Sequence, residues 1–394
     1  MEIPAQTHDM STGREIRTVL NPATGEPVGS VSMGSAEDVN DAVKRATAEY
    51  LQWAGKDPTD RAKVLYGTAV LVRSRQHDLA NLLTREQGKP LKESTQEIAG
   101  FARILEYYAS ISGMLRGDYG HSSTYGHAVV SRSPIGVCGA IIPWNVPAII
   151  MGWKVGPALA AGNALVLKPA TTAPLTCIQL ASCLVEAGLP SGILQIVTGQ
   201  GPVVGEAIVT NPDIRTVSFT GEVTTGKRVA TLAAPFFKRV TLELGGSDPM
   251  IVCKDADLTE ASKGAVAGRF FNCGQTCTAV KRVFIDASVE DEFIRKLQIL
   301  IGSLKVGNGL VQGVDIGPIH SDIQLNQISD QIERTVTGEF GKVSVGGKKP
   351  EQDLLKDGSF FEPTLLSDLD PAAPVLHEEV FGPVMPVMSY GTLD

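Results

Sequence analysis

Val137-Cys-Gly-Ala-Ile-Ile142, Ala164-Leu-Val-Leu-Lys168, Leu194-Gln-Ile-Val197, Thr216-Val-Ser-Phe-Thr220 and Val240-Thr-Leu-Glu-Leu244 are five short β-rich runs that recur at near-regular intervals. Helical stretches such as Ala173–Ala187 and Glu222–Leu232 lie between them. Strand and helix in alternation are the signature of βαβ units and a parallel sheet. Ligands of such folds bind beyond the carboxyl ends of the strands. The first run sits inside Ile135–Trp153, which is almost wholly apolar and long enough to span a bilayer. Pro143, Asn145 and Pro147 break it at the centre, and lipid offers an interrupted backbone no hydrogen-bond partner. It therefore reads as a buried strand, a loop and a buried helix.

Upstream, the first quarter reads as helical. Ser35 and Asp38 form a capping box, after which Val39, Ala42, Val43, Ala46, Tyr50 and Trp53 recur at helical spacing. Further helices are predicted over Thr59–Arg75 and Thr95–Ile111, and Tyr119–Ser133 suits an extended hairpin or arm. Downstream, a second unit begins near Gly245–Gly246. Its strands are predicted at Pro249–Val252 and Arg282–Ile285, its helices at Thr259–Phe271 and Val289–Ile301. After Gly302 the chain reads as loop-rich, with β-like runs near Val343 and Phe360, and Val384–Met388 is an apolar run close to Asp394.

Composition narrows the class. The chain has 394 residues, enough for two domains, with 43% hydrophobic and 20% charged residues, as in soluble globular proteins. A net charge of −8 without basic runs argues against nucleic acid or an anionic membrane as partner. Met1–Met10 carries Glu2 and Asp9 and lacks the apolar core of a signal peptide, so a reducing, cytoplasmic compartment is expected. Among six cysteines there is no CxxC pair, and no histidine lies near a cysteine in sequence, so no metal site is expected. Four cysteines have apolar neighbours. Cys273 and Cys277 lie instead in the polar loop Asn272-Cys-Gly-Gln-Thr-Cys277.

Lys168-Pro169, Gly199-Gln-Gly-Pro-Val-Val-Gly205 and Phe219-Thr-Gly221 each follow a strand, where glycines admit a phosphate to backbone N–H groups at a helix N-terminus. The spacing is not GxGxxG, and each alone reads as a tight turn. Glu243 ends a strand expected to be buried, which would raise its pKa and suit a general base. Cys277 sits in a loop where a thiolate would be accessible. Taken singly, these two read as a surface carboxylate and an inert thiol.

The combination is more specific. Pro143-Trp-Asn-Val-Pro147, Val166-Leu-Lys-Pro169, Phe219-Thr-Gly221, Glu243-Leu-Gly-Gly246, Phe271-Asn-Cys-Gly-Gln-Thr-Cys277 and Glu378-Glu-Val-Phe-Gly-Pro383 occur in this order. The series resembles the aldehyde dehydrogenase superfamily along essentially the whole chain. The resemblance implies an α/β fold with a Rossmann-type parallel-sheet coenzyme domain (1–118 and 134–245), an oligomerisation arm (119–133) and a second α/β catalytic domain (246–394). It implies oxidation of an aldehyde to a carboxylic acid with NAD or NADP through a thioester, in a homodimer or homotetramer. Cys277 would be the nucleophile, Asn145 with the Cys277 N–H the oxyanion donors, and Glu243 the base for deacylation. The coenzyme cleft would be lined by Ile141, Pro143, Trp144, Lys168, Thr171, Gly201, Gly205, Phe219, Gly221, Glu222 and Leu244. Lys168 would reach the adenosine ribose, and Glu379 and Phe381 the nicotinamide ribose.

Departures from the family pattern bear on specificity. Thr171 stands where many NAD-preferring members have a glutamate that repels a 2′-phosphate, and Glu222 stands where serine is common. The two pull in opposite directions, leaving NAD or NADP open. Ile150 and Trp153 fall where some semialdehyde members carry a cation, and Thr276 is uncharged, which favours a neutral or apolar aldehyde. The rivals are a CoA-acylating enzyme, whose branch typically lacks the glutamate seen here as Glu243, and a catalytically silent nucleotide-binding fragment. Cys273, four residues before Cys277, reads either as a packing residue or as a disulfide partner for the nucleophile. Relatives usually continue well beyond the Glu-Glu-Val-Phe-Gly-Pro motif. The resemblance thus implies a missing C-terminal segment and, with it, poor solubility.

Overall fold

The computed structural model describes residues 15–392, so Met1–Met10 lies outside the described residues. Two compact units emerge. Residues 15–19, Gly29–Leu82 and Thr95–Leu244 form the first; Leu20–Val28, Leu83–Ser94 and 245–392 form the second. Residues 20–28 and 83–94, grouped by sequence with the coenzyme domain, thus cluster with the other unit. Leu91 N–H bonds the Gly309 carbonyl, and Lys92 pairs with Asp315 at 2.9 Å.

The helical first quarter is also a ribbon. β1 (Ile16–Leu20) and β2 (Pro27–Ser32) pair before α1 (Ala36–Ala54) begins at the Ser35–Asp38 capping box. Such a cap is worth about 1 kcal/mol. Val39, Ala42, Val43, Ala46 and Trp53 of α1 are buried, and the Trp53 indole N–H donates to the Leu159 carbonyl at 3.2 Å. α2 (Pro58–Ser74) follows, then α3 (Gln76–Gln87), which the sequence reading did not separate, and α4 (Leu91–Ile111). The expected hairpin is β3 (Asp118–Ser122) against β4 (Gly126–Val130), exposed along nearly its whole length.

The alternating segment builds one sheet. Its strands are β5 (Val137–Ile141), β6 (Ala164–Lys168), β7 (Leu194–Ile196), β8 (Ile214–Gly221) and β9 (Arg239–Leu244), all parallel, in the order β7-β6-β5-β8-β9. The crossovers are α5 (Pro147–Ala160), α6 (Leu175–Glu186), α7 (Glu206–Thr210) and α8 (Val223–Ala233). The apolar run 135–153 is accordingly strand, loop and helix, and no helix among the described residues is long and apolar enough to cross a membrane. The chain steps from β5 out to β7, then returns to the other side of β5 as β8. That reversal opens a crevice above the carboxyl ends of β5 and β8, where ligands of doubly wound sheets bind.

The second unit carries β10 (Pro249–Val252), α9 (Leu258–Phe270), β11 (Arg282–Asp286), α10 (Glu290–Gly302), α11 (Asp322–Thr337), β12 (Lys342–Val345), β13 (Thr364–Ser367), α12 (Pro374–His377) and β14 (Val384–Tyr390). The sheet order is β10-β11-β14-β13-β12, with β12 antiparallel to β13 and the other pairs parallel. The apolar run after the last motif is the central strand, paired on both sides. The region read as loop-rich contains α11, whose Leu325, Ile328 and Ile332 enter the core, and the β-like run near Phe360 becomes a strand only from Thr364.

Candidate active site

In the first unit, the strand ends carry the predicted coenzyme residues. Ile141 closes β5 and leads through Pro143 and Trp144 to Asn145, which is 5% exposed just before α5. Glu97 of α4, itself buried, accepts the Ala148 N–H at 2.8 Å and so caps the start of α5 beside Asn145. Lys168 ends β6. Burial pushes its ammonium down to about 8, and Nζ donates to the Pro169 carbonyl at 2.8 Å. The Thr171 hydroxyl donates to the Gly199 carbonyl at 2.8 Å, tying the loop after β6 to the one after β7. Gly201–Gly205 form a π-helical turn, with Gly201 facing open space and Gly205 near Lys168 and Ile141. Phe219 and Gly221 end β8, and Glu222 stands at the N-cap of α8, with no side chain capping its first N–H groups. These backbone donors, the open Gly201 and a buried cation fit a dinucleotide's phosphates and ribose.

Glu243 corrects one expectation. β9 is the edge strand with alternating exposure, and Glu243 is exposed rather than at the end of a buried strand, while Leu244 is half-buried. Its charge still acts within the unit. Burial holds the Lys154 ammonium of α5 below the usual lysine value, and the Glu243 carboxylate opposes that shift. The two α5 residues expected at the substrate lie on different sides of the helix. Trp153, 56% exposed, and Ile149 line an open groove of α5 with Gly100, Arg103, Ile104, Tyr107 and Tyr108 of α4, whereas Ile150 is 4% exposed and faces the core. Residues 149 and 153 share a helical face, and 150 is rotated about 100° from 149 and about 60° from 153. Arg103 is the one charged side chain among those lining residues.

In the second unit, α9 is followed, after Phe271, by three consecutive left-handed residues, Asn272 (φ 51°), Cys273 (φ 57°) and Gly274 (φ 71°). They turn the chain so that Cys277 is exposed while Asn272, Gln275 and Thr276 are buried. Asn272 N–H donates to Glu93 Oε2 at 2.9 Å, and Gln275 Nε2 donates to the Asn272 carbonyl at 3.0 Å. Cys273 is 1% exposed within the core cluster, and burial raises its thiol pKa well above the ordinary value. It packs rather than lying free in a polar loop.

Glu378 and Glu379 diverge. Glu378 takes both arms of Arg334 at 2.7 and 2.6 Å, whereas Glu379 meets Lys281 Nζ at 2.8 Å. A Cβ on Gly245 would lie 2.1 Å from the Glu379 carboxylate, so only glycine admits that approach. Lys281 and the fully buried Arg269 were not identified from sequence, because a cation four residues past a loop cysteine or at a helix end carries no pattern of its own.

One histidine does lie beside the cysteine motif in space. His320 N–H donates to Gln275 Oε1 at 2.9 Å, and its buried ring meets the Gln87 carbonyl at 3.2 Å. Burial, with Lys89 adding, pushes the imidazole down to about 4 against the Gln87 contact. Above pH 6.5 the ring is neutral folded and unfolded, so it adds no pH dependence. Below pH 6.5 only the unfolded chain takes the proton, until the folded ring titrates near 4. Stability should therefore fall by about 2 kcal/mol from this group between pH 6.5 and 5. Unfolding free energies of the parent and His320→Gln, from urea titrations across that range, should diverge by this amount; parallel curves would refute it.

A family model described as the aldehyde dehydrogenase family matches residues 9–394. The chain is 38% identical to the succinate-semialdehyde dehydrogenase [NADP(+)] of Escherichia coli over 97% of its length and 78% of that protein. It is 40% identical to the glutarate-semialdehyde dehydrogenase of Pseudomonas putida, over 97% and 78%. A crystal structure of betaine aldehyde dehydrogenase from Staphylococcus aureus in complex with NAD+ superposes with a TM-score of 0.94 at 33% identity, covering 97% of this chain and 76% of that one.

Proposed function

Because this chain belongs to the aldehyde dehydrogenase family and oxidises an aldehyde to a carboxylic acid with NAD or NADP, we propose that Cys277 is its nucleophile, Asn145 with the Cys277 N–H its oxyanion donors and Glu243 its deacylation base. The observation that carries this reading is exposure: Cys277 is the one exposed thiol, four others being buried and Cys253 half-buried. Cys277 Sγ adds to the carbonyl carbon, and the oxyanion donors hold the charge that develops on oxygen. Bound NAD or NADP supplies the hydride acceptor that brings the adduct to the acyl level. Glu243 then takes a proton from the water that cleaves the thioester, releasing the acid and the free thiol. Lys168 and Thr171 hold the adenosine ribose, and Glu379 with Phe381 the nicotinamide ribose. A carboxylate at 243 supports hydrolysis over acyl transfer to CoA.

The groove of α4 and α5 supports a reading of the substrate. Ile104, Tyr107, Tyr108, Ile149 and Trp153 outnumber the single cation Arg103 in the groove's lining, which favours an apolar or aromatic aldehyde over a short dicarboxylic semialdehyde. Turnover of a panel of both classes, followed at the reduced-nicotinamide absorbance band, should give a kcat/KM at least about tenfold higher for the apolar members. Preference for succinic semialdehyde would overturn this substrate assignment. Exposed Tyr119, Tyr125, Val129 and Val130 on the β3–β4 hairpin support a homodimer or homotetramer, and six free cysteines support a cytoplasmic setting.

A further inference from the structure

Lys281 is a buried ammonium with three partners, all from the chemistry-bearing motifs of the second unit. Its side chain is 1% exposed. Nζ donates to the Cys277 carbonyl at 2.7 Å, pairs with Glu379 Oε1 at 2.8 Å, and stands 5.9 Å from the centre of the Phe381 ring. The Glu379 segment is held from behind as well. Arg269 Nη2 donates to the Val380 carbonyl at 2.9 Å and to that of Gly382, so both sides of Phe381 are pinned. Removing an ammonium from water is costly unless its bonds are remade, and here the replacements reach two different loops. A residue needed only for burial would be apolar. A cation that joins a nucleophile's own carbonyl to a remote carboxylate sets the two loops at a fixed distance.

We propose that Lys281 is a positioning residue that fastens the Cys277 loop to Glu379 and Phe381, so that nucleophile and ribose-binding pair are set as one piece before either ligand arrives. The proposal rests on the reading of Cys277 and Glu379 given above. It explains why Glu379 rather than Glu378 is presented: Arg334 draws Glu378 outward while Lys281 draws its neighbour in. It also gives Lys281 an electrostatic hand in the reaction, because its positive charge sits on the carbonyl of the residue that must ionise.

Two readouts test this without turnover: the rate of iodoacetamide alkylation of Cys277 at pH 7, followed by peptide mass spectrometry, and the dissociation constants of NAD+ and NADP+ from protein fluorescence. Lys281→Met should slow alkylation at least threefold and weaken coenzyme binding by about tenfold, the scale of a small misplacement. Lys281→Arg should recover most of both. Glu379→Gln, which leaves the ammonium unneutralised on the Cys277 carbonyl, should speed alkylation, a change of opposite sign that simple loosening of the fold would not produce. A folded Lys281→Met with both values within twofold of the parent overturns the proposal. If that variant does not fold, Glu379→Gln decides alone: alkylation unchanged or slowed overturns it. Cys277→Ala that still reduced coenzyme with aldehyde would refute the underlying nucleophile assignment instead, whatever the binding data.

Discussion

Cys277→Ala should lose aldehyde-dependent reduction of coenzyme by at least about 10⁴-fold, whereas Glu243→Gln should release about one equivalent of reduced nicotinamide per site and then stall. The two residues serve successive half-reactions. Without the thiol no adduct forms, so no hydride leaves. Without the carboxylate the first half-reaction proceeds and the thioester accumulates, because a neutral amide does not take a proton from the attacking water. Rapid-mixing absorbance distinguishes the two, and trapping the acyl-enzyme with hydroxylamine should restore turnover in Glu243→Gln. Steady turnover of Glu243→Gln at the parental rate would remove Glu243 from the deacylation step. The exposure of Glu243 on an edge strand suits a base that must meet water.

The second large effect is structural in origin. Gly274 has φ +71°, and a Cβ there would lie 2.2 Å from the Gly382 carbonyl oxygen. Gly274, four residues past the end of α9, thus packs backbone to backbone against the Glu-Glu-Val-Phe-Gly-Pro motif. Gly274→Ala should cost about 3 kcal/mol or more, combining left-handed strain with a clash that neither backbone can relieve locally. Gly264, inside the preceding helix with open space around it, is the control, and Gly264→Ala should be neutral or stabilising by up to about 1 kcal/mol. Urea unfolding of both variants measures the contrast. Equal stabilities would show that the contact between the two motifs is not tight.

The sequence alone determined the parallel sheet of the first unit, because β5 and β6, buried on both faces, write themselves as short apolar runs, the other strands as β-rich runs at regular spacing, and the turns as glycines. Six motifs in order determined the family, and with it the roles proposed for Asn145, Glu243, Cys277 and Glu379. Local chemistry was also legible where partners are near in sequence, as in the Ser35–Asp38 capping box. Helix α11 was readable in principle from Leu325, Ile328 and Ile332, but its polar composition hid the period. What only the tertiary structure decided depends on partners remote in sequence. Glu243 lies on an edge because β8 crosses back over β5, which no local pattern encodes. Ile149 rather than Ile150 meets the groove because the rotation of α5 is set by what packs beneath it. Cys273 and Cys277, alike in one polar hexapeptide, part ways because left-handed turns at Asn272 and Cys273 send one thiol into the core and leave the other in solvent. Lys281 and Arg269 are charges that sequence patterns assign to the surface. Lys281 is buried because the Cys277 carbonyl and the Glu379 carboxylate, the latter from a motif some hundred residues away, replace the water it gives up, whereas Arg269 bonds that motif's carbonyls through Nη2 alone and leaves Nε and Nη1 without a partner.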